Sequence, residues 1–236
     1  MKNLPAILFL IVSVFVSNSC RIEEDDYIFN EDCIQSCNYI NGQLMTGDGS
    51  ESLSGAYVEL EWHKGSNIFG GGLVRNKAVS ISDVTGYYEL KFQIREDEID
   101  TGYYIVKYYP GKKFYGCTGE HEFGIGDIPK DTIMTYNYGI PYKASLTVRS
   151  KGAENMAIND YFSFSALSPS GIDFNSACGF HVSWSNEFPD REFTYDVAAL
   201  QPVVLKTVRR INEERFPSYD TLYLDIGEHV EYVVEL

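Results

Sequence analysis

Cysteine is the residue type whose spacing offers the most chemistry in this chain of 236 residues. Cys20 ends an apolar amino-terminal segment, which leaves Cys33, Cys37, Cys117 and Cys178 for pairing. In an oxidising compartment this even set could form two disulfides in any of three pairings, and Cys33 or Cys37 could join the amino-terminal segment to either distant cysteine. A metal site is an alternative, although Cys-x3-Cys without a second close pair is weak evidence for one. Free thiols are the third alternative.

Residues that could catalyse a reaction form no recognisable motif. The sequence has no Gly-x-Ser-x-Gly turn, no Ser-x-x-Lys pair and no His-Glu-x-x-His zinc motif. His181 follows Cys178 by three residues, which places the two side chains on opposite faces of a strand. We therefore predict no catalytic, cofactor-binding or metal-binding residues, and a protein that is not an enzyme.

Aromatic residues could form stacking platforms for a ligand, because the chain holds 18 Tyr, 14 Phe and 2 Trp. Tyrosines in adjacent pairs, such as Tyr103 and Tyr104, must point to opposite faces of a strand, so half of them belong to the core. We expect Trp62, Trp184 and the outward-facing tyrosines to be the better candidates for a ligand-binding face.

The amino-terminal segment has the composition of an export signal. Lys2 precedes an apolar run at residues 4–16, and small or polar residues then lead to Cys20. A charged start, a short apolar middle and small residues before a cleavage site are typical of a signal peptide. One alternative is a transmembrane helix, but the run has 13 residues and a span needs roughly 20. Another is an ordinary signal peptide with an incidental cysteine.

The sequence that ends at Cys20 resembles the lipobox of bacterial lipoproteins. The resemblance implies a signal peptide at residues 1–19, acylation of Cys20 with palmitate-type chains, and stable anchorage by more than one chain. Four carboxylates at residues 23–26 resemble the acidic export signal of Bacteroidetes surface lipoproteins, which would place the protein on the outer face of the outer membrane. By itself, the acidic segment at residues 20–37 indicates a solvated, flexible tether.

Composition limits the partners of the chain. A formal net charge of −15 makes it a poor ligand for nucleic acid or for an exposed anionic membrane. An apolar content of 44% allows a real core, so we expect order beyond the tether. The length beyond the signal is enough for one large domain or two small ones.

Short runs of β-branched and aromatic residues, separated by Gly, Asn, Asp and Pro, recur along the chain without a helical period. This spacing predicts an all-β fold with two tandem β-sandwich domains, at residues 38–139 and 140–236. Between them, residues 137–141 contain Gly and Pro and could form a hinge or a continuous strand. Near the carboxyl end, three runs predict consecutive antiparallel strands of an immunoglobulin-like sandwich, with Gly227 in a hairpin turn between the last two.

The first predicted domain follows a recognisable plan. Gly42-Gln43-Leu44 opens a strand, and Ser82-Asp83-Val84-Thr85-Gly86 separates two later ones. Asp83 can bond backbone groups two residues on and Gly86 can adopt a positive φ, so this segment should reverse the chain. The pattern resembles the carboxypeptidase regulatory-like domain, a transthyretin-like sandwich. That resemblance implies an accessory module without catalytic residues.

The predicted function follows from the anchor and the modules. We predict a membrane-anchored, non-enzymatic surface lipoprotein with a binding or scaffolding role. A carbohydrate-binding lipoprotein that serves a glycan-uptake system is the first alternative, and a small hydrolase without a known motif is the second. Expected partners are the membrane, through the lipid, and a protein or glycan of the envelope, but not nucleic acid. Thr132 and Thr221 each follow an Asp and precede an aliphatic residue, which resembles the acceptor of Bacteroidetes O-glycosylation.

Overall fold

A computed structural model describes residues 33, 36–65, 72–117, 121–157, 160–189 and 191–235. The predicted signal peptide, the lipidation site at Cys20 and the acidic run at residues 23–26 lie outside these residues. Within the described part of the chain, no helix is long and apolar enough to cross a membrane.

Strands dominate the described residues, because β-branched and aromatic runs alternate with turn residues. The predicted all-β sandwich class is confirmed. The helical segments of the described residues are two 3-10 turns, Glu96–Glu98 and Ala153–Asn155. The strands are β1 (Cys37–Thr46), β2 (Glu51–Ser52), β3 (Tyr57–Lys64), β4 (Leu73–Ile81), β5 (Tyr87–Gln93), β6 (Tyr103–Tyr109), β7 (His121–Ile125), β8 (Ile133–Thr135), β9 (Tyr138–Gly139), β10 (Tyr142–Lys151), β11 (Tyr161–Ile172), β12 (Ser176–Trp184), β13 (Glu192–Ala199), β14 (Pro202–Ile211), β15 (Glu214–Tyr223) and β16 (His229–Glu235).

Two layers enclose the first hydrophobic core. One layer is the four-stranded sheet β4-β3-β6-β7, and the other consists of β1 with β5 and β8 paired to it. Side chains of β3 alternate between the two faces, so Val58, Leu60 and Trp62 are buried together. Ile40 of β1 and Leu90 of β5 belong to the same core, which the two layers therefore share.

A second core lies between the strands β12-β11-β14-β15 and the three-stranded sheet β13-β10-β16. Phe162 and Phe164 of β11 pack in it with Val234 of β16. The predicted antiparallel pairing of β14 and β15 is confirmed, and Asn212 and Glu213 close that hairpin with positive φ. The prediction of a hairpin between β15 and β16 is wrong, because β16 crosses to the other layer and pairs in parallel with β10. The crossing lets β16 cover the core from the opposite side.

The two halves share one hydrogen-bonded sheet. β9 pairs in parallel with β1 and antiparallel with β11, so it bridges the halves. Residues 138–141 are buried, so this segment is a continuous connection and not a loose hinge. A side chain at position 139 would crowd the ring of Phe174, because a Cβ atom there would lie 2.4 Å from that ring.

Both cysteine pairs of the described chain lie within disulfide range. Cys33 pairs with Cys37 and Cys117 pairs with Cys178, with Cα–Cα separations of 5.4 and 5.2 Å. The chain therefore does not adopt the alternative in which Cys33 or Cys37 bridges to a distant cysteine. Cys117 instead joins the connection between β6 and β7 to strand β12 of the second half.

The turn predicted at residues 82–86 is confirmed. The Asp83 carboxylate accepts hydrogen bonds from the backbone N–H groups of Thr85, at 2.8 Å, and of Tyr87, at 3.0 Å. Gly86 has a φ of 77°, which a side chain would strain. Together these residues reverse the chain between β4 and β5.

Candidate functional site

The candidate site is a cleft of about 590 Å³ where the two halves meet. Clefts of roughly 300–1,000 Å³ with apolar walls and a few polar groups are typical of small-ligand sites. The side chains that line it from the first half include Lys107, Tyr109, Lys112, Phe114, His121 and Glu122, and those from the second half include Lys143 and Asp196.

One wall of the cleft, residues 110–117, reaches into the second half. Tyr115 is buried in the second core, and its backbone N–H donates to the carbonyl of Pro141 over 2.8 Å. The bridge from Cys117 to Cys178 ties the end of this segment to β12. The wall is therefore held by a buried side chain, a backbone hydrogen bond and a covalent link.

Two of the lysines that line the cleft are paired with carboxylates. Lys107 Nζ lies 2.6 Å from Glu61 Oε2, and Lys143 Nζ lies 3.3 Å from Asp196 Oδ2. Although burial raises the pKa of Glu61, hydrogen bonds from His63 and Lys107 hold it below its ordinary value, so this carboxylate stays ionised. Each of the two ammonium groups thus has a carboxylate partner.

His121 is uncharged at neutral pH, because burial lowers its pKa to about 4. A neutral imidazole can donate one hydrogen bond and accept another. Its neighbour Glu122 is exposed, and the backbone carbonyl of Glu122 accepts a hydrogen bond from the Tyr138 hydroxyl at 3.4 Å. β7 therefore lines the cleft with side chains, and one of its backbone carbonyls already accepts a hydrogen bond from within the protein.

Tyr109 forms the aromatic rim of the cleft. The residue is 49% exposed, and its ring centroid lies 5.6 Å from that of Tyr57. Its hydroxyl donates to Glu59 Oε2 over 3.2 Å. Burial, followed by the charge of Glu59, raises the pKa of Tyr109 to about 12, so the hydroxyl remains a donor. A fixed aromatic face is thus presented beside polar groups.

The prediction that Trp62 and Trp184 form a ligand-binding face is wrong. Their exposed fractions are 0% and 1%. The indole N–H of Trp62 donates to the carbonyl of Thr101 at 3.0 Å, and that of Trp184 donates to the carbonyl of Arg191 at 2.7 Å. Because each polar N–H has an internal partner, both rings can be buried, one in each core.

The two predicted modification sites differ in access. Thr132 is partly buried, and its hydroxyl lies 3.5 Å from the carbonyl oxygen of Lys130. Thr221 is exposed on β15, which is the outer strand of its sheet. As for metals, no group of three or more His, Cys, Asp or Glu side chains within the described ranges could hold an ion.

A buried polar cluster in the first half does not line the cleft. Lys77 Nζ lies 2.8 Å from both carboxylate oxygens of Glu98, and Arg75 Nη1 lies 3.2 Å from one of them. Arg75 also pairs with Asp97 at 2.7 Å and lies over the ring of Trp62, 4.9 Å from its centroid. A β-bulge in the β3–β4 ladder adds a residue to β4 here, which lets two cations face inward close together. Since each charge in the cluster has a partner, we interpret it as structural.

No sequence pattern predicts the cleft, because its residues come from separate segments of the chain. Lys107, His121 and Lys143 form no motif with one another along the chain. One signal was available: strand alternation places Lys107 and Tyr109 on the same face of β6. The segment that lies opposite Lys107 and Tyr109 is determined by how the two halves pair, and no local sequence pattern indicates that pairing.

No family model matches the chain, and no curated protein sequence matches it. Solved structures match at low identity. The Bacillus anthracis TIE protein is 13% identical with a TM-score of 0.33, over 85% of this chain and 34% of that protein. The shaft pilin SpaA from Lactobacillus rhamnosus GG is 11% identical with a TM-score of 0.33, over 85% and 98%. A protein from Bacteroides ovatus, provisionally assigned to cell adhesion, is 11% identical with a TM-score of 0.26, over 85% and 92%.

These likenesses do not define what this protein does. The chain spans about a third of the Bacillus anthracis protein. The matches also include a 9R-lipoxygenase from a Cyanothece strain, over 48% of this chain.

Proposed function

We propose that this protein is a non-enzymatic lipoprotein of the outer membrane surface. In this proposal, two β-sandwich modules, at residues 38–139 and 140–236, bind or scaffold a partner. Cys20 carries the lipid, and residues 20–37 hold the modules away from the membrane. The partner is a protein or a glycan of the cell envelope. The accessory role implied by the carboxypeptidase regulatory-like pattern of the first module fits this proposal.

The pairing of the cysteines is the observation that carries the proposal. Cys117 and Cys178 come from different halves of the chain, yet their Cα atoms lie 5.2 Å apart. Disulfides persist in oxidising compartments and are rare in the cytosol. Export to such a compartment fits the signal-like amino terminus. Once the other four cysteines are paired, Cys20 is the cysteine that remains for acylation.

A binding role fits the way the two halves are joined. β9 pairs with a strand of each half, and the bridge between Cys117 and Cys178 adds a covalent link. The cleft at this junction combines aromatic and polar side chains. Fixed concave sites of this composition favour ligand binding, because little conformational freedom is lost when the ligand enters.

Metabolic labelling with a palmitate analogue tests the anchor. Wild-type protein should take up the label and sediment with membranes, whereas Cys20→Ser should take up none. Cys33→Ser is the matched control, because it removes a cysteine that the proposal assigns to a disulfide, and its labelling should equal that of the wild type. Wild-type protein that takes up no label and stays in the aqueous phase would contradict the anchor.

Protease treatment of intact cells tests the surface position separately. The proposal expects the mature chain to be digested on intact cells, with a periplasmic control protein left whole. Protection of the chain until the outer membrane is permeabilised would assign it to the inner leaflet and contradict the surface position, even if the lipid label is present.

A further inference from the structure

The cleft between the two halves has one wall that is held by contacts within the protein. Its wall at residues 110–117 is fixed by the burial of Tyr115 and by the bridge between Cys117 and Cys178. A preformed site loses little conformational freedom on binding, so weak individual contacts can still give specific affinity. The volume of about 590 Å³ accommodates a small ligand or a short segment of a longer one.

Two of the lysines at the cleft already have carboxylate partners, which favours an uncharged ligand. Lys107 is paired with Glu61 and Lys143 with Asp196, and burial keeps His121 neutral. The other two charged side chains of the described lining are one of each sign. An anion that approached either of these paired lysines would have to compete with its carboxylate, and the net charge of −15 of the chain opposes anion binding in general. A hydroxyl group can instead accept from an ammonium and donate to a carboxylate without separating the pair.

The rim adds an apolar surface to these polar groups. The ring of Tyr109 is half-exposed, and Tyr57 extends the aromatic surface beside it. The hydrogen bond from Tyr109 to Glu59 fixes the orientation of the ring. A ligand with a flat apolar face and hydroxyl groups around its perimeter would match both features, and a sugar ring has that construction.

A peptide strand is a poorer match to the same cleft. Addition of a strand to a sheet depends on free backbone groups along an edge strand. β7 is the edge strand that faces the cleft, but the carbonyl of Glu122 already accepts from the hydroxyl of Tyr138. The features that converge on the cleft are side chains, which suit hydroxyl groups better than a peptide backbone.

We propose that this cleft binds a neutral oligosaccharide, with a sugar ring on Tyr109 and hydroxyl groups bonded to the pair of Lys143 and Asp196. This proposal rests on the binding role proposed above. It adds the site and the chemical class of the ligand.

A glycan array is the first test. The full-length protein, purified in a detergent without a sugar headgroup, is applied to an array of neutral oligosaccharides, acidic oligosaccharides and peptides. The proposal expects signals for neutral oligosaccharides that exceed those for the other two classes. Signals confined to acidic oligosaccharides or to peptides, or no signal at all, would overturn it.

Calorimetry with the strongest neutral oligosaccharide of the array then tests the site. Tyr109→Ala should weaken binding about tenfold, because it removes the stacking surface. Tyr103→Ala is the matched control, since Tyr103 lies on the same face of β6, is 45% exposed and does not line the cleft. Equal affinities of the two variants would overturn the assignment of the site.

Asp196→Asn provides a second variant that does not depend on an aromatic residue. Asp196 is exposed on β13, so the substitution should leave the thermal midpoint unchanged and still weaken binding by removing an acceptor charge. Anchorage is read separately from the palmitate label. If the protein takes up the label but binds no glycan, the proposed ligand is wrong and the proposed lipid anchor stands. If the protein binds glycans but takes up no label, the proposed anchor is wrong and the proposed ligand stands.

Discussion

Replacement of Glu98 by Gln should destabilise the first half strongly. The Glu98 side chain is fully buried and lies between the cations of Lys77 and Arg75. Gln keeps the size of the side chain but removes its charge, so the Lys77 ammonium, which is 2% exposed, loses its counter-charge. Removal of one partner from a buried ion pair costs about 3–5 kcal/mol, because the other charge stays buried without compensation.

The expected loss lies at the lower end of that range, about 3 kcal/mol. The single amide oxygen of the substituted Gln would still accept a hydrogen bond from Arg75, and Arg75 would keep Asp97 as its ionic partner. Burial already lowers the pKa of Lys77, and loss of the carboxylate would lower it further. The unfolded chain then binds the proton more tightly than the folded chain, so the stability of the variant should rise as the pH approaches the ordinary lysine pKa of about 10.4.

Urea unfolding followed by tryptophan fluorescence measures the loss. The chain has two tryptophans, one in each core, so a Trp184→Phe background leaves Trp62 as the reporter of the first core. Glu96→Gln is the matched control. It removes a carboxylate from the same short turn, but that side chain is 86% exposed and its pair with Lys130 lies at the surface. The unfolding midpoint of the control should not change measurably.

The double variant Lys77→Met, Glu98→Gln separates charge from shape. It should recover part of the lost stability, because the uncompensated ammonium is gone. A cost below about 1 kcal/mol for Glu98→Gln, the level of a surface pair, would refute the charge argument. A double variant that is no more stable than the single one would refute it as well.

Three further changes test other parts of the fold. Replacement of Cys117 and Cys178 by Ser should cost about 4 kcal/mol in denaturant unfolding, because the bridge spans 61 residues, and an unchanged midpoint would contradict this. Gly42→Ala should lower the free energy of unfolding by about 2 kcal/mol or more, since its Cβ would lie 1.9 Å from a backbone carbonyl oxygen. Gly126→Ala is the control, because its Cβ would meet no atom within 4 Å, and it should leave the thermal midpoint unchanged. As the pH falls from 6.5 to about 4, His121 is protonated in the unfolded chain before it is protonated in the folded chain, so the stability of the folded chain should fall. His121→Gln should reduce this dependence of the thermal midpoint on pH, and an unchanged slope in the variant would contradict the role of His121.

Features with local determinants could be predicted from the sequence. The turn at Asp83 and Gly86 needs one side-chain acceptor and one residue with positive φ, and both lie within a few positions. The burial of Trp62, which was predicted wrongly, also has a local determinant. Trp62 is two residues from Leu60 and four from Val58, and strand alternation places all three on the inward face. The large ring suggested a ligand face, but its position in the alternation determined its burial.

Features that depend on strand pairing could not be predicted in this way. β16 follows β15 along the chain, and its apolar side chains would suit either layer, but the open position beside β10 determines where it pairs. The cleft has the same origin, because Asp196 and Lys143 reach Lys107 only after the two halves dock through β9. No spacing in the sequence predicts that these side chains line one cleft.

The junction between the halves has a mechanical consequence. In the proposed anchored protein, a pull on the second half would reach β1 through the peptide chain at residues 139–142, through the ladder of β1, β9 and β11, and through the cross-link between Cys117 and Cys178. Backbone hydrogen bonds slip under loads that a sulfur–sulfur bond withstands. If the ladder yields under traction, the cross-link still holds Cys117 beside Cys178, so the two halves remain joined at two covalent points and not at one.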